Sequence, residues 1–324
     1  MKINYASHSS FEKATNEKFD FIICASGYEK RASYFYSRFC ETYSHPCEKI
    51  SLSFKDRISL SRDENDIFFK DHLFTPIVLE SGNLKELIEI YSEIFSHTND
   101  DSIKILFDYS CMTKVMYAAL LKYFDVTNDL FEEVTIYFVY TEALFSEPID
   151  TNSNLHNQPL LFPTVELTDK KIALIVGLGY EKGKAQGLIE HMQIENPDTY
   201  LFYTSKSNDE QFYNKIIENN SYILTKIPEK NHFQYEQGNT TYTLNLLESL
   251  CNYLLSKDYR VIIAPLGPKL FSLISILLYI KYSDLTVLRV SPGIKGVAIE
   301  RLPNTQKSPN IIEVNFNATS KQQI

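Results

Sequence analysis

The feature that most constrains this chain is that it repeats itself. EKFDFIICASGYEK (Glu17–Lys30) is an apolar run that stops at Gly-Tyr-Glu-Lys, and DKKIALIVGLGYEK (Asp169–Lys182) ends the same way, with Gly27 and Gly179 standing 152 residues apart. A second block agrees. IKILFDYSCMTKVMYAALLKYF (Ile103–Phe124) aligns with RVIIAPLGPKLFSLISILLYIK (Arg260–Lys281), and Lys114 and Lys269 stand 155 residues apart. Each of these reads as a strand, a short polar or Gly/Pro turn holding a lysine, and an apolar helix. Both halves then finish alike, VTIYFVYT (Val134–Thr141) against LTVLRVSP (Leu285–Pro292), with short terminal strands at PTVELT (Pro163–Thr168) and NIIEVNF (Asn310–Phe316). Ordered blocks at a nearly constant offset mark a duplicated structural unit.

Within each half, strand and helix alternate. The first half predicts strands near 20–26, 48–54, 75–80, 103–108 and 134–140, with helices near 28–40, 62–72, 83–97 and 112–124. The second predicts strands near 172–178, 199–204, 221–226, 260–265 and 285–291, with helices near 182–194, 208–219, 241–256 and 268–282. The strands are continuous apolar runs rather than alternating ones, which places them in a parallel sheet covered by helices on both faces. The expected fold is α/β, two tandem Rossmann-like parallel-sheet domains over residues 1–168 and 169–324. The polar segment TNSNLHNQP (Thr151–Pro159) reads as a loop between them.

Composition sets limits on function. A net charge of −9 and the lack of a long Lys/Arg run argue against non-specific binding to duplex nucleic acid or to a membrane, while leaving room for a small anion in a local basic pocket. The five cysteines (Cys24, Cys40, Cys47, Cys111 and Cys251) have no regular spacing, so no disulfide framework and no metal site is expected. The N-terminus lacks an apolar signal core, and the longest apolar stretch, Leu270–Ile280, is too short to span a bilayer. The expected location is cytoplasmic.

In an open parallel sheet, ligands bind beyond the carboxyl ends of the strands. Both repeated turns lie there. The first is Gly27-Tyr28-Glu29-Lys30-Arg31 with its twin Gly179-Tyr180-Glu181-Lys182. Glycine permits the sharp turn, and the helix that follows offers N–H groups to an anion. Glu29 and Glu181 either accept from ribose hydroxyls or a base edge, or simply complement a helix dipole. Gly177-Leu178-Gly179 opens like a dinucleotide fingerprint but lacks the third glycine, so a nicotinamide site is not expected. The second turn is Asp108-Tyr109-Ser110-Cys111-Met112-Thr113-Lys114, matched by Pro265-Leu266-Gly267-Pro268-Lys269. Ser110 and Thr113 hydroxyls, backbone N–H groups and the Lys114 ammonium together form a phosphate cradle, and Gly267 and Lys269 supply close approach and charge in the second half. The plainer alternative is an N-cap by Ser110 beside a solvated lysine.

Other candidates are weaker. None of the seven histidines recurs between the halves. Cys111, at a helix start beside Lys114, is a candidate nucleophile without an evident histidine partner. Gly293-Ile294-Lys295-Gly296 reads as a flexible basic turn suited to a lid.

The run Asp108-x-Ser-Cys-Met-Thr-Lys-x-Met116 resembles the signature of CARF domains, Rossmann-like sensors of CRISPR-linked cyclic oligoadenylates, with Cys111 and Met112 standing where that family has a glycine pair. The resemblance implies a nucleotide-type ligand between two such domains. Ser110, Thr113, Lys114 and Lys269 would be binding groups, and the loops Gly27–Arg31 and Gly179–Lys182 would close over the ligand. It implies a sensor in prokaryotic antiviral defence that acts through a separate effector protein and needs no further cofactor. Two alternatives stand beside it. One is an enzyme acting on a nucleotide or nucleic-acid phosphate, as a ring nuclease or a nucleoside- or phosphoribosyl-processing enzyme. The other is a structural subunit, which the sparse second-half motif favours.

Overall fold

The computed structural model describes residues 1–56, 58–98, 100–127, 130–148, 156–159, 169–207, 209–282, 284–291 and 298–318. Contacts gather these into two units, Met1–Leu144 with Val297–Ile324, and Phe145–Gly296. The expected strand at 163–168 and the expected lid at 293–296 lie outside the described residues.

The first unit runs β1 (Lys2–Ser9), α1 (Phe11–Asn16), β2 (Phe21–Ala25), α2 (Tyr34–Phe39), β3 (Glu48–Phe54), α3 (Arg62–Asp71), β4 (Thr75–Leu79), α4 (Leu84–Phe95), β5 (Ser102–Asp108), α5 (Lys114–Val126) and β6 (Glu133–Tyr140). The second runs β7 (His156–Pro159), β8 (Ile172–Gly177), α6 (Lys184–Met192), β9 (Thr199–Thr204), α7 (Glu210–Asn219), α8 (Ser221–Lys226), β10 (His232–Tyr235), α9 (Thr240–Ser256), β11 (Arg260–Pro265), α10 (Lys269–Lys281) and β12 (Leu285–Ser291). The last strand, β13 (Asn310–Asn317), belongs to the first unit.

Both sheets share one parallel core. The order β4-β3-β2-β5-β6 in the first and β10-β9-β8-β11-β12 in the second is the same 3-2-1-4-5 arrangement. This is the doubly wound Rossmann-like order, whose switch point falls between the first and fourth strands. The apolar runs account for it: every residue of β2 is buried, as are Ala173 to Gly177 of β8. Strands buried on both faces need helices on both sides. α5 and α10 are the most deeply sunk, with Leu270 to Leu278 of α10 all buried. An apolar surface all round a helix leaves no face suited to water. The Phe and Tyr residues gather in the first unit's core, where Phe19, Phe35, Phe39, Phe69 and Phe74 meet, whereas aliphatic side chains such as Leu174, Leu188, Leu201 and Ile216 fill the second.

Three expectations are corrected. The segment 221–226 is helix α8, and the third strand is instead β10; a short apolar run cannot be told from a buried helix by composition, and Ile223 and Ile227, one turn apart, are both buried. Residues His156–Pro159, read as loop, form β7, antiparallel to β12. NIIEVNF, read as the closing strand of the second half, lies in the first sheet, antiparallel to both β6 and β1. The sheets are therefore mixed, with parallel cores and antiparallel margins, because pairing partners distant in sequence leave no local pattern. β1 itself was not foreseen. Among the described residues no helix is long and apolar enough to cross a membrane.

Candidate functional site

The two repeated turns of the first unit leave β2 and β5, the adjacent strands of its switch point. They touch. A Cβ placed on Gly27 would stand 3.2 Å from Cys111 Cβ, so the small residue is what lets the loops approach. The first loop is pinned from below by Asn65 of α3, which is buried and donates from Nδ2 to the Gly27 carbonyl (2.8 Å) and the Glu29 carbonyl (3.0 Å). Ser33 Oγ donates back to Asn65 Oδ1 (3.0 Å), so the amide has one orientation that satisfies all three contacts.

Arg31 turns inward. Its side chain is 1% exposed, and Nε donates to Glu29 Oε2 at 2.5 Å while a terminal nitrogen donates to the Thr141 carbonyl at 2.8 Å. Burial works against the guanidinium charge, but Tyr140, Cys111 and Glu29 around it hold its pKa above the ordinary arginine value. The guanidinium lies 5.7 Å from the Tyr140 ring centre. Arg31 thus ties the first loop to the end of β6. Glu29 also reaches Cys111, whose Sγ is 4.0 Å from Oε2.

The second turn is built on the same strand ends. Asp108 is buried, and its Oδ1 accepts from the Ser110 amide (2.9 Å), a side-chain turn that reverses the chain just past β5. Ser110 is fully buried and its Oγ accepts from the Thr141 amide (2.8 Å), so this hydroxyl joins the turn to the end of β6. Thr113 stands extended at the N-cap of α5, its amide donating to Met116 Sδ (3.3 Å), and half-buried Lys114 opens the helix. Gly27 and Glu29 thus meet the second turn at Cys111, Thr113 and Lys114 follow at the start of α5, and Arg31 and Ser110 are both tied to Thr141. One neighbour had no signal in the sequence. Glu300, on the segment leading into β13, accepts from the Lys30 amide (2.5 Å) and from Ser61 Oγ (3.0 Å).

The second unit repeats the plan with fewer polar groups. Gly179 and Gly267 come from adjacent strand ends, and the approach is closer: a Cβ on Gly179 would meet the Leu266 carbonyl oxygen at 2.7 Å, and one on Gly267 the Leu178 carbonyl oxygen at 2.5 Å. Asn220 donates to the Gly179 carbonyl (2.9 Å) and Asn219 to the Tyr180 carbonyl (2.5 Å). Glu181 pairs with Lys184 (2.9 Å) at a partly open position, Lys182 is exposed, and Lys269 opens α10 half-buried behind Pro268. No carboxylate or hydroxyl occupies the places of Asp108 and Ser110. Among the described residues no group of three or more His, Cys, Asp or Glu is placed to hold a metal ion.

No family model and no curated protein matches this chain. Among solved structures it is similar to a protein described as a universal stress protein from Pseudomonas aeruginosa UCBPP-PA14, at 10% identity over 83% of this chain and 92% of that chain, with a TM-score of 0.25.

Proposed function

We propose that this chain binds a small nucleotide-type anion at the switch point of its first unit, as a sensor that passes the binding event to a separate effector protein. The observation that supports this most is the contact of Gly27 with Cys111, which brings the two repeated loops and the N-terminus of α5 to one place. The thirteen-residue helix that Lys114 opens gives that end a partial positive charge, and the ammonium adds a full one. Arg31 and Ser110 serve as the frame, and Thr113 and Lys114 as the groups that meet the ligand. The CARF-like run Asp108–Met116 is the reason to favour a cyclic oligoadenylate and a role in prokaryotic antiviral defence.

A thermal-shift screen against cyclic oligoadenylates, dinucleotides and mononucleotides tests this, with Lys114→Ala and Lys269→Ala alongside. A ligand at 100 times its Kd stabilises a fold by about 2.7 kcal/mol, a shift of a few degrees. The expected result is a shift that Lys114→Ala abolishes and Lys269→Ala leaves largely intact. Recovery of the ligand unchanged supports a sensor, and its cleavage supports the ring-nuclease alternative. No shift with any of these ligands overturns the reading.

A further inference from the structure

We infer that Asn65 and Asn220 are a duplicated pair of positioning residues, each setting the Gly-Tyr-Glu loop of its own unit so that two of its backbone N–H groups face away from the asparagine. Both are buried, and both donate from Nδ2 to the carbonyl of the repeated glycine, Gly27 at 2.8 Å and Gly179 at 2.9 Å. They stand 155 residues apart, the same spacing as Lys114 and Lys269.

The two reach this bond by different local routes. Asn65 lies in the first turn of α3, whereas Asn220 lies at the junction of α7 and α8, where it also donates to the Ile216 carbonyl (2.9 Å). A contact that followed merely from helix geometry would not survive such a change of setting. The common element is the glycine carbonyl. Each loop, moreover, is held at a second carbonyl: Glu29 by the same Asn65 and Tyr180 by the adjoining Asn219.

The consequence follows from the planar trans peptide, in which the carbonyl and the next N–H point in opposite directions. Among the described residues no peptide bond is cis. Pinning the Gly27 and Glu29 carbonyls turns the Tyr28 and Lys30 N–H groups the other way, and pinning Gly179 and Tyr180 does the same for the N–H groups of Tyr180 and Glu181. In the first unit the outward Lys30 N–H already meets an anion, the Glu300 carboxylate at 2.5 Å. An amide side chain suits the task because it is a neutral donor, able to satisfy a buried carbonyl without burying a charge.

The inference rests on the proposed site only for what the loop would receive; the loop position itself can be read without a ligand. In the full-length protein, peptide-resolved alkylation by iodoacetamide compares Cys111, which lies under Gly27, with the half-buried Cys40 and Cys47 as internal references. Asn65→Ala is expected to raise the Cys111 rate about tenfold over the references and to speed hydrogen exchange in the peptide 26–32. Asn220→Ala should leave Cys111 alone and speed exchange in 178–184. Asn65→Leu, which fills the space but has no donor, should loosen the loop as Asn65→Ala does; a purely space-filling role predicts that it restores the wild-type rates. Should Asn65→Ala fail to fold, Asn65→Leu carries the same comparison. The inference is overturned if Cys111 and loop exchange stay at wild-type values in a folded variant, or if Cys40, Cys47 and Cys111 all accelerate together. A negative ligand screen alongside a loosened loop would overturn the binding proposal and leave this one standing.

Discussion

The two switch points share a strand order, a repeated Gly-Tyr-Glu loop and an asparagine under it, yet they are held by different forces. The first is tied by charge and hydroxyl: Arg31 to Glu29 and Thr141, Ser110 to Thr141, Asp108 to Ser110. The second is tied by backbone proximity, with Gly179 and Gly267 each lying too close to a carbonyl oxygen for any side chain. Once duplicated, a scaffold of this kind can keep its geometry with either set of contacts. The first set surrounds the strand ends with more polar groups, and it is there that we propose the ligand binds.

The largest effect should come from the acidic residue common to both loops. Glu29→Ala strands the Arg31 guanidinium, 1% exposed, without its countercharge. Breaking a buried pair from one side costs about 3–5 kcal/mol. Glu181→Ala removes a partner of Lys184 where the two side chains are 35% and 23% exposed, and is expected to cost at most about 1 kcal/mol. Calorimetry on the two variants measures the contrast. Equal losses would mean that the Arg31 clamp is not what distinguishes the first unit.

The glycines should invert that order. Gly267→Ala drives a methyl to 2.5 Å from the Leu178 carbonyl oxygen, a backbone atom just past β8 whose residue is tied by its amide to the Phe202 carbonyl, and a cost of about 2–3 kcal/mol is expected. Gly27→Ala meets Cys111 Cβ at 3.2 Å, where a shift of a few tenths of an ångström relieves the contact. Its cost should stay below about 1 kcal/mol, and thermal unfolding of the pair checks both values. If Gly27→Ala proved the worse, the first loop would be the more tightly apposed of the two.

How much of this was legible in the sequence depends on whether the partner is a side chain or the backbone. The repeated strands, the loops at Gly27 and Gly179 and the turns ending at Lys114 and Lys269 were readable because apolar runs and glycines recur at a fixed offset. Asn65 and Asn220 were not, because their partner is a carbonyl, which any residue carries, and their own flanking residues differ. Arg31 read as a ligand group, since residue type does not tell which way a side chain turns; its second partner is a main-chain oxygen 110 residues on. The placement of β13 in the first sheet was equally hidden, because an apolar strand names its environment but not its neighbour.

The smallest contrast concerns pH and a partly buried carboxylate in each unit that its neighbours tune. Glu313 on β13 accepts from Tyr5 (2.6 Å) and Lys13 (2.5 Å), and Glu248 on α9 accepts from Tyr282 and pairs with Lys281 (2.6 Å). Burial by itself would raise both carboxyls, but these donors outweigh it and hold each below the ordinary carboxyl value. A depressed native pKa contributes stability above the unfolded value and loses it as pH falls through the native one. Glu313→Gln should therefore destabilise the first unit at pH 7 by about 1–2 kcal/mol, discounted because Lys13 is half exposed, and the gap should close as pH drops below the ordinary value of 4.5. Glu248→Gln should show the same closure in the second unit at a smaller size, its side chain being 19% exposed against 8% for Glu313. Hydrogen exchange resolved by unit, from pH 7 to pH 3, separates the two. A larger loss from Glu248→Gln would place the acid-sensitive contact in the second unit and undo the assignment of side-chain electrostatics to the first.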